Sequence, residues 1–247
     1  MIQLFSRHKS DLIKLIICLS IGLMSTSTIY GQINRGNYNY LDYKNKDYYF
    51  GISLGLNTSQ HQVFHSREFI DNTNFLRAQG APAGGFNVQG IVNYKIGDFF
   101  DIRTLPGFTF ATRHIDFQST EDAITALPPR TTIESIFVNI PFLVRFKSAP
   151  YRDKRAYIVA GINYSFDVAS NSRSRGAEEL IQIDPHDFQI EAGIGMQFFF
   201  PYFILSPEIK FSQGINNTLL FNNQIEESTI IEKLLSRVLT FSFHFEG

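Results

Sequence analysis

Tryptophan is absent from the 247 residues, cysteine occurs once, and neither sign of charge dominates, with 22 Lys and Arg against 23 Asp and Glu. The charge balance removes the electrostatic case for a nucleic-acid partner. Beyond the first 31 residues no stretch reaches 18 apolar residues, and mean hydropathy is −0.07, which argues against transmembrane helices. The lone Cys18 lies in an apolar run near the start of the chain, so the remainder cannot form a disulfide.

That N-terminal run reads as a secretory signal peptide over 1–31. Arg7, His8, Lys9 and Lys14 form a basic region, 15–24 (LIICLSIGLM) an apolar core too short to span a bilayer, and cleavage is expected after Gly31. Cys18 follows Ile17 rather than a small residue, which argues against a lipoprotein. After cleavage the charge is −3, from 19 basic and 22 acidic residues. An exported domain of this size without disulfides needs another source of stability, and a barrel closed in lipid is one.

What is abundant is aromatic: 25 Phe and 11 Tyr, both β-favouring. Eight segments alternate apolar and polar with period two: 48–57, 86–96, 100–110, 136–146, 156–167, 188–198, 203–211 and 239–245. In the first, Tyr48, Phe50, Ile52, Leu54 and Leu56 share one face, and Tyr49, Gly51, Ser53, Gly55 and Asn57 the other. The eight apolar faces hold 44 positions and no charge, where a chain that is 18% charged would place about eight. The opposite faces are rich in Gly, Ser and Asn, which suit a narrow barrel interior. Short connections (97–98, 148–155, 199–202) alternate with long ones (58–85, 111–135, 169–187, 212–238), as periplasmic turns and outer loops do. The expected fold is therefore an all-β, eight-stranded, antiparallel up-and-down transmembrane β-barrel over 48–247, located in the outer membrane. A polar extension over 32–47 precedes it. Pro106, Pro141 and Pro207 interrupt this pattern and predict bulges or nearby strand ends. A short helix is expected over 225–237, from the capping spacing of Thr229 and Glu232 and the apolar residues Ile230, Ile231, Leu234 and Leu235.

Candidate chemistry is sparse. His61 and His65, followed by Glu68 and Asp71, have metal-ligand character but no helical pattern, and a solvated loop is the stronger reading. His114, Asp116, Ser119, His186 and Asp187 offer the residue types of a hydrolase without a motif. Arg103, Arg145, Glu191, Glu208 and Lys210 lie on the polar face, where eight strands leave room only for side chains, so they are expected to pair as a structural plug. No catalytic, metal or cofactor site is assigned.

Five segments carry a more specific likeness: YYFGISLGLNTS (48–59), DFFDIRTLPGFTF (98–110), RAYIVAGINYSFDVAS (155–170), PEIKFSQGINN (207–217) and LLSRVLTFSFHFE (234–246). Together they resemble the PorT family, outer-membrane barrels of the Bacteroidetes associated with the type IX secretion system. The resemblance implies a non-enzymatic export component with no cofactor. Its partners would be other type IX components, outer-membrane lipid and, during insertion, the barrel-assembly machinery. Phe241, Phe243 and Phe245 resemble the terminal signal that this machinery reads, although Glu246 and Gly247 follow the last aromatic. The alternatives are a passive barrel serving adhesion or envelope integrity, and an outer-membrane lipid-modifying enzyme.

The alternation of connections predicts topology. Single cysteines at Gln79 and Ser174 should react with an impermeant maleimide on intact cells, and one at Asp98 should not; the reverse pattern would invert the barrel.

Overall fold

The computed structural model describes residues 38–66, 75–119, 130–169, 182–220 and 231–247. Its strands are β1 (Tyr48–His65), β2 (Phe75–Ala81), β3 (Ala83–Ile96), β4 (Phe100–Thr104), β5 (Gly107–Ser119) and β6 (Arg130–Lys147). They continue with β7 (Lys154–Asp167), β8 (Gln182–Ile183), β9 (His186–Phe199), β10 (Ile204–Gly214), β11 (Leu219–Leu220) and β12 (Ile231–Glu246). One helix, α1 (Tyr38–Lys44), precedes them, and no helix among the described residues is long and apolar enough to cross a membrane.

The strands form eight antiparallel staves. β2 with β3, and β4 with β5, are single staves broken at Pro82 and at Leu105-Pro106. β1 pairs with β12 and with β3, so the sheet closes on itself. Following partners once round the ring leads from Phe50 through Val92, Thr104, Phe142, Ile162, Ile190, Gln213 and Arg237 to Gln60, a shear of ten residues. Eight strands with this stagger tilt by roughly 40° at ordinary strand spacings.

Alternation sorts the side chains. Ile52, Phe142, Ile158, Ile194 and Phe241 face outward and are exposed, while Ser53, Asn93, Arg145 and Ser206 face inward and are buried. On β1 the outward residues are apolar from Tyr48 to Leu56 and turn polar at Thr58, Gln60 and Gln62. That apolar run rises roughly 20 Å along the barrel axis, near the height of a bilayer's apolar band. Tyr48, Phe99, Tyr151, Phe200, Tyr202 and Phe203 are exposed near the short turns and form an aromatic girdle.

Three expectations are corrected. First, β1, β5, β6 and β12 run well into the segments read as long loops, because the ladder continues after the outward face turns polar. Second, 231–237 is strand, not helix. The register between β1 and β12 slips at Phe64/His65, and the bulge turns Ile231 and Leu234, three residues apart, both into the interior. That spacing imitates a helical face; the rest of the expected helix, 225–230, lies outside the described residues. Third, Pro141 and Pro207 sit in strands without a register shift. Pro141 lies level with the Leu105-Pro106 break, where no ladder bond is required, and the β9–β10 ladder omits its pairs at Ser206 and Pro207. Within the polar extension 32–47, residues 38–44 form a helix.

The outward assignment has an energetic consequence. Ile140→Arg or Ile194→Arg places a charge on the lipid face and should cost ~2–4 kcal/mol near the midplane. Urea titration of the barrel folded into vesicles measures it, and an unchanged midpoint would contradict the facing.

Candidate functional site

Inward positions near the short turns carry charge, and a tilted eight-strand ring brings them within contact distance. Asp101 on β4 accepts from Arg145 Nε at 2.9 Å and from the Lys147 ammonium on β6. Arg145 also donates to the Tyr49 hydroxyl and lies 3.6 Å from Glu246 on β12. Glu246 accepts from Arg103 Nη2 at 2.5 Å and from Gln197 at 3.3 Å. Arg103 reaches Glu208 at 4.0 Å and donates to Asn93 at 3.1 Å. Glu208 accepts from Tyr157 at 2.9 Å and lies 3.4 Å from His244 Nε2. Three carboxylates and three cations thus join four strands in one network, with Arg103, Arg145 and Asp101 fully buried. Charges taken from water are tolerated in such a place when each faces an opposite partner, as these do.

The filling continues along the axis. Ile91, Leu105, Leu143 and Val159 form an apolar cluster inside the ring. The Lys210–Glu191 pair, at 2.7 Å, and Ser212 border a polar cavity of about 40 Å³, space for a few waters and nothing larger. Asn139, Asn163, Ser165 and Gln189 line it. Farther from the short turns the buried Arg113 guanidinium lies 4.7 Å over the Phe137 ring and 3.5 Å from His61.

Both ends carry additional structure. At the short-turn end α1 buries Tyr40 and Tyr43 against Phe199 and Ile204. Asp153 accepts from the Tyr40 amide at 2.9 Å, Asn39 donates to the Phe199 carbonyl at 3.1 Å, and the Lys95 ammonium donates to the Tyr43 carbonyl. Arg155, hydrogen-bonded to Gln197 at 2.6 Å, stacks under Tyr40 and Phe199 at 5.5 and 5.3 Å. Asp153 is held by an unusual turn. Arg152 and Asp153 both have positive φ, 48° and 55°, and Tyr151 and Lys154 exchange two backbone bonds across them. This is the hairpin turn that Asn-Gly normally makes, here occupied by two residues strained in that conformation. At the other end β8 pairs with β11, and Ile183, Leu219, Ile231 and Leu234 are buried.

Of the charges singled out in the sequence, Arg103, Arg145 and Glu208 meet in the network, whereas Glu191 and Lys210 pair separately deeper in the barrel. The sequence reading missed Asp101, Lys147, Glu246, Tyr49, Tyr157 and His244 as members. Their signal was phase: each stands an even number of residues from a recognised inward position on its strand. Glu246, which follows the aromatic alternation, is the last inward residue of β12, while Phe241, Phe243 and Phe245 face outward. The histidine sets do not converge. His61 is buried inside and His65 exposed at the end of β1, whereas Glu68 and Asp71 lie outside the described residues. His114 and Asp116 alternate with the inward Arg113, Ser119 ends β5, and His186 points outward where Asp187 points inward. No group of three His, Cys, Asp or Glu among the described residues could hold a metal ion.

Removing one partner of this network should be expensive. Glu246→Ala removes the nearest carboxylate of Arg103 and the second carboxylate of Arg145, and should lower folding stability by ~3–5 kcal/mol. Urea titration read by gel mobility is the check, and a loss below ~1 kcal/mol would show that the network does not hold the barrel together.

Several solved outer-membrane proteins are similar to this chain at low identity. OprG of Pseudomonas aeruginosa is similar at 10% identity and a TM-score of 0.45, over 81% of this chain and 95% of that one. Neisserial surface protein A is 10% identical with a TM-score of 0.39, over 79% and 96%. Ail, the attachment invasion locus protein of Yersinia pestis, is 11% identical with a TM-score of 0.36, over 82% and 100%. No curated protein matches the chain in sequence. The outer membrane protein beta-barrel domain matches residues 32–220, more than half of the chain. The chain belongs to this family and is a protein of the outer membrane.

Proposed function

We propose that this barrel serves protein export by the type IX secretion system, as a non-enzymatic accessory acting through protein contacts. The family likeness of its five segments motivates the reading. The observation that carries it is the filled interior. A continuous ion-pair network, an apolar cluster and a docked helix occupy the ring, so no substrate protein passes through it. A component of an export machine built this way contributes surfaces: the aromatic girdle, α1 and the outer ends of the long staves. Other type IX components are the proposed partners, and a wider channel would be built by them. The barrel-assembly machinery would insert the protein, reading Phe241, Phe243 and Phe245.

A clean deletion with complementation tests the proposal. Substrates bearing the type IX C-terminal signal should accumulate in the periplasm and disappear from the medium and cell surface, while the outer membrane stays intact to detergents and dyes. Normal secretion would reject the export role in favour of a passive barrel for adhesion or envelope integrity. Complementation with His114, His186 and Ser119 replaced by Ala should restore secretion; failure with a correctly assembled barrel would favour a lipid-modifying enzyme.

A further inference from the structure

The lipid-facing wall is not uniform. Large side chains stand in a row that crosses the strands through direct partners: Phe146, Ile158, Ile194, Ile209 and Phe241. The next row toward the short turns is lower from Ser148 to Pro207 and rises again at exposed Phe243, the partner of Pro207. Ser148, bonded to the Ala156 carbonyl, is followed by Ala156, its partner Met196, and Pro207. The result is a trough of about 630 Å³ on the outer surface. Its floor is the chain itself at Tyr157, Gly195 and Glu208. Gly195 is required there, because a Cβ would run into the Tyr157 ring packed beneath it. The missing pairs at Ser206 and Pro207 leave the wall without its regular ladder at this point.

Cations stand beyond the trough's short-turn side. Lys154 lies on the same outward face of β7, two residues before Ala156 and so roughly 7 Å nearer the short turns. Its ammonium sits 5.6 Å from the centre of the Phe198 ring. Exposed Arg152 follows in the turn, over Tyr151. An apolar furrow one side chain deep, running down to exposed cations beside the aromatic girdle, has the layout of an anionic amphiphile: chain above, headgroup below.

We propose that this trough is a binding site for an anionic glycerophospholipid of the periplasmic leaflet, with an acyl chain along Ala156, Met196 and Pro207 and the phosphate at Lys154. The flanking row from Phe146 to Phe241 confines the chain on one side, and the strained turn holds Arg152 at the headgroup level. The site is independent of the export role: it rests on the outer-membrane location and the shape and charge of the wall.

Native mass spectrometry of the full chain, released from mixed micelles, tests it. The probes are phosphatidylglycerol and phosphatidylcholine with identical acyl chains. The wild type should retain one phosphatidylglycerol about fivefold more than phosphatidylcholine, as expected for one basic residue meeting an anionic headgroup. Lys154→Gln together with Arg152→Gln should equalise the two lipids while leaving the adduct, and Ala156→Phe, which fills the trough, should remove both. Ala156→Ile is the milder filler should Ala156→Phe fail to show heat-modifiable mobility. Equal retention by the wild type, or adducts indifferent to both fillers, would overturn the site. A photocrosslinker at Met196 in living cells should capture lipid; capture of a protein there would overturn it too.

Discussion

The first and last strands of the ring meet along fifteen residue pairs, from Gly51 with Glu246 to His65 with Ile231. Within hydrocarbon no water is available to satisfy an unpaired amide or carbonyl, so a sheet persists there only when its two edges bond to each other. Every other property is subordinate to this closure. It fixes the shear of ten, hence the tilt and the bore, and it decides that one face of every strand meets lipid and the other meets its own neighbours. A charge on the first face has no partner, and a charge on the second cannot escape one.

The interior is accordingly a problem in electrostatic accounting at close quarters. Asp101, Glu208 and Glu246 come from three different strands, as do the cations that meet them from β4 and β6 and the histidine from β12. Within the network β6 brings two cations, β10 and β12 one carboxylate each and β4 one charge of each sign, so the charges of β6 are balanced only when β10 and β12 are in place. The network therefore reports correct assembly. A register slip of one residue would turn these groups into lipid and bring isoleucine and phenylalanine inside, leaving buried charges alone at a cost of several kcal/mol. An apolar interior would tolerate such a slip far better, and that is a physical reason for ionic filling in a protein whose alternation is otherwise so regular.

The architecture was legible in the sequence wherever period two governed it. The charge-free apolar faces read correctly as the outer wall because lipid tolerates no exceptions, and the alternation of connections followed from the hairpin topology. Legibility failed where a second influence entered. At Ile231 and Leu234 a bulge converted alternation into helical spacing. At Tyr40 and Tyr43 the helix is held by side chains from β3, β7 and β9, none of which its own residues announce. At Pro141 the missing donor was plain, but the opposing break that renders it harmless lies more than thirty residues earlier in the chain. The charged interior was half visible: alternation gave the direction of each side chain, whereas the pairing of Glu246 with Arg103 depends on the closed ring.

The turn at Arg152 and Asp153 also orders events in time. Helix α1 stands first among the described elements, yet the groups that hold it are Lys95, Asp153, Arg155 and Phe199, the last of them 160 residues beyond Asn39. None of these is in place until β3, the β6–β7 hairpin and β9 have formed, and the Asp153 carboxylate reaches the Tyr40 amide only once its hairpin has settled into the left-handed turn. An early segment of the chain therefore finds its seat only after elements far downstream are in place. Burial of Tyr40 and Tyr43 thus depends on β3, the β6–β7 hairpin, β9 and Ile204 standing together, and it ties the first described element to the middle and later part of the sheet.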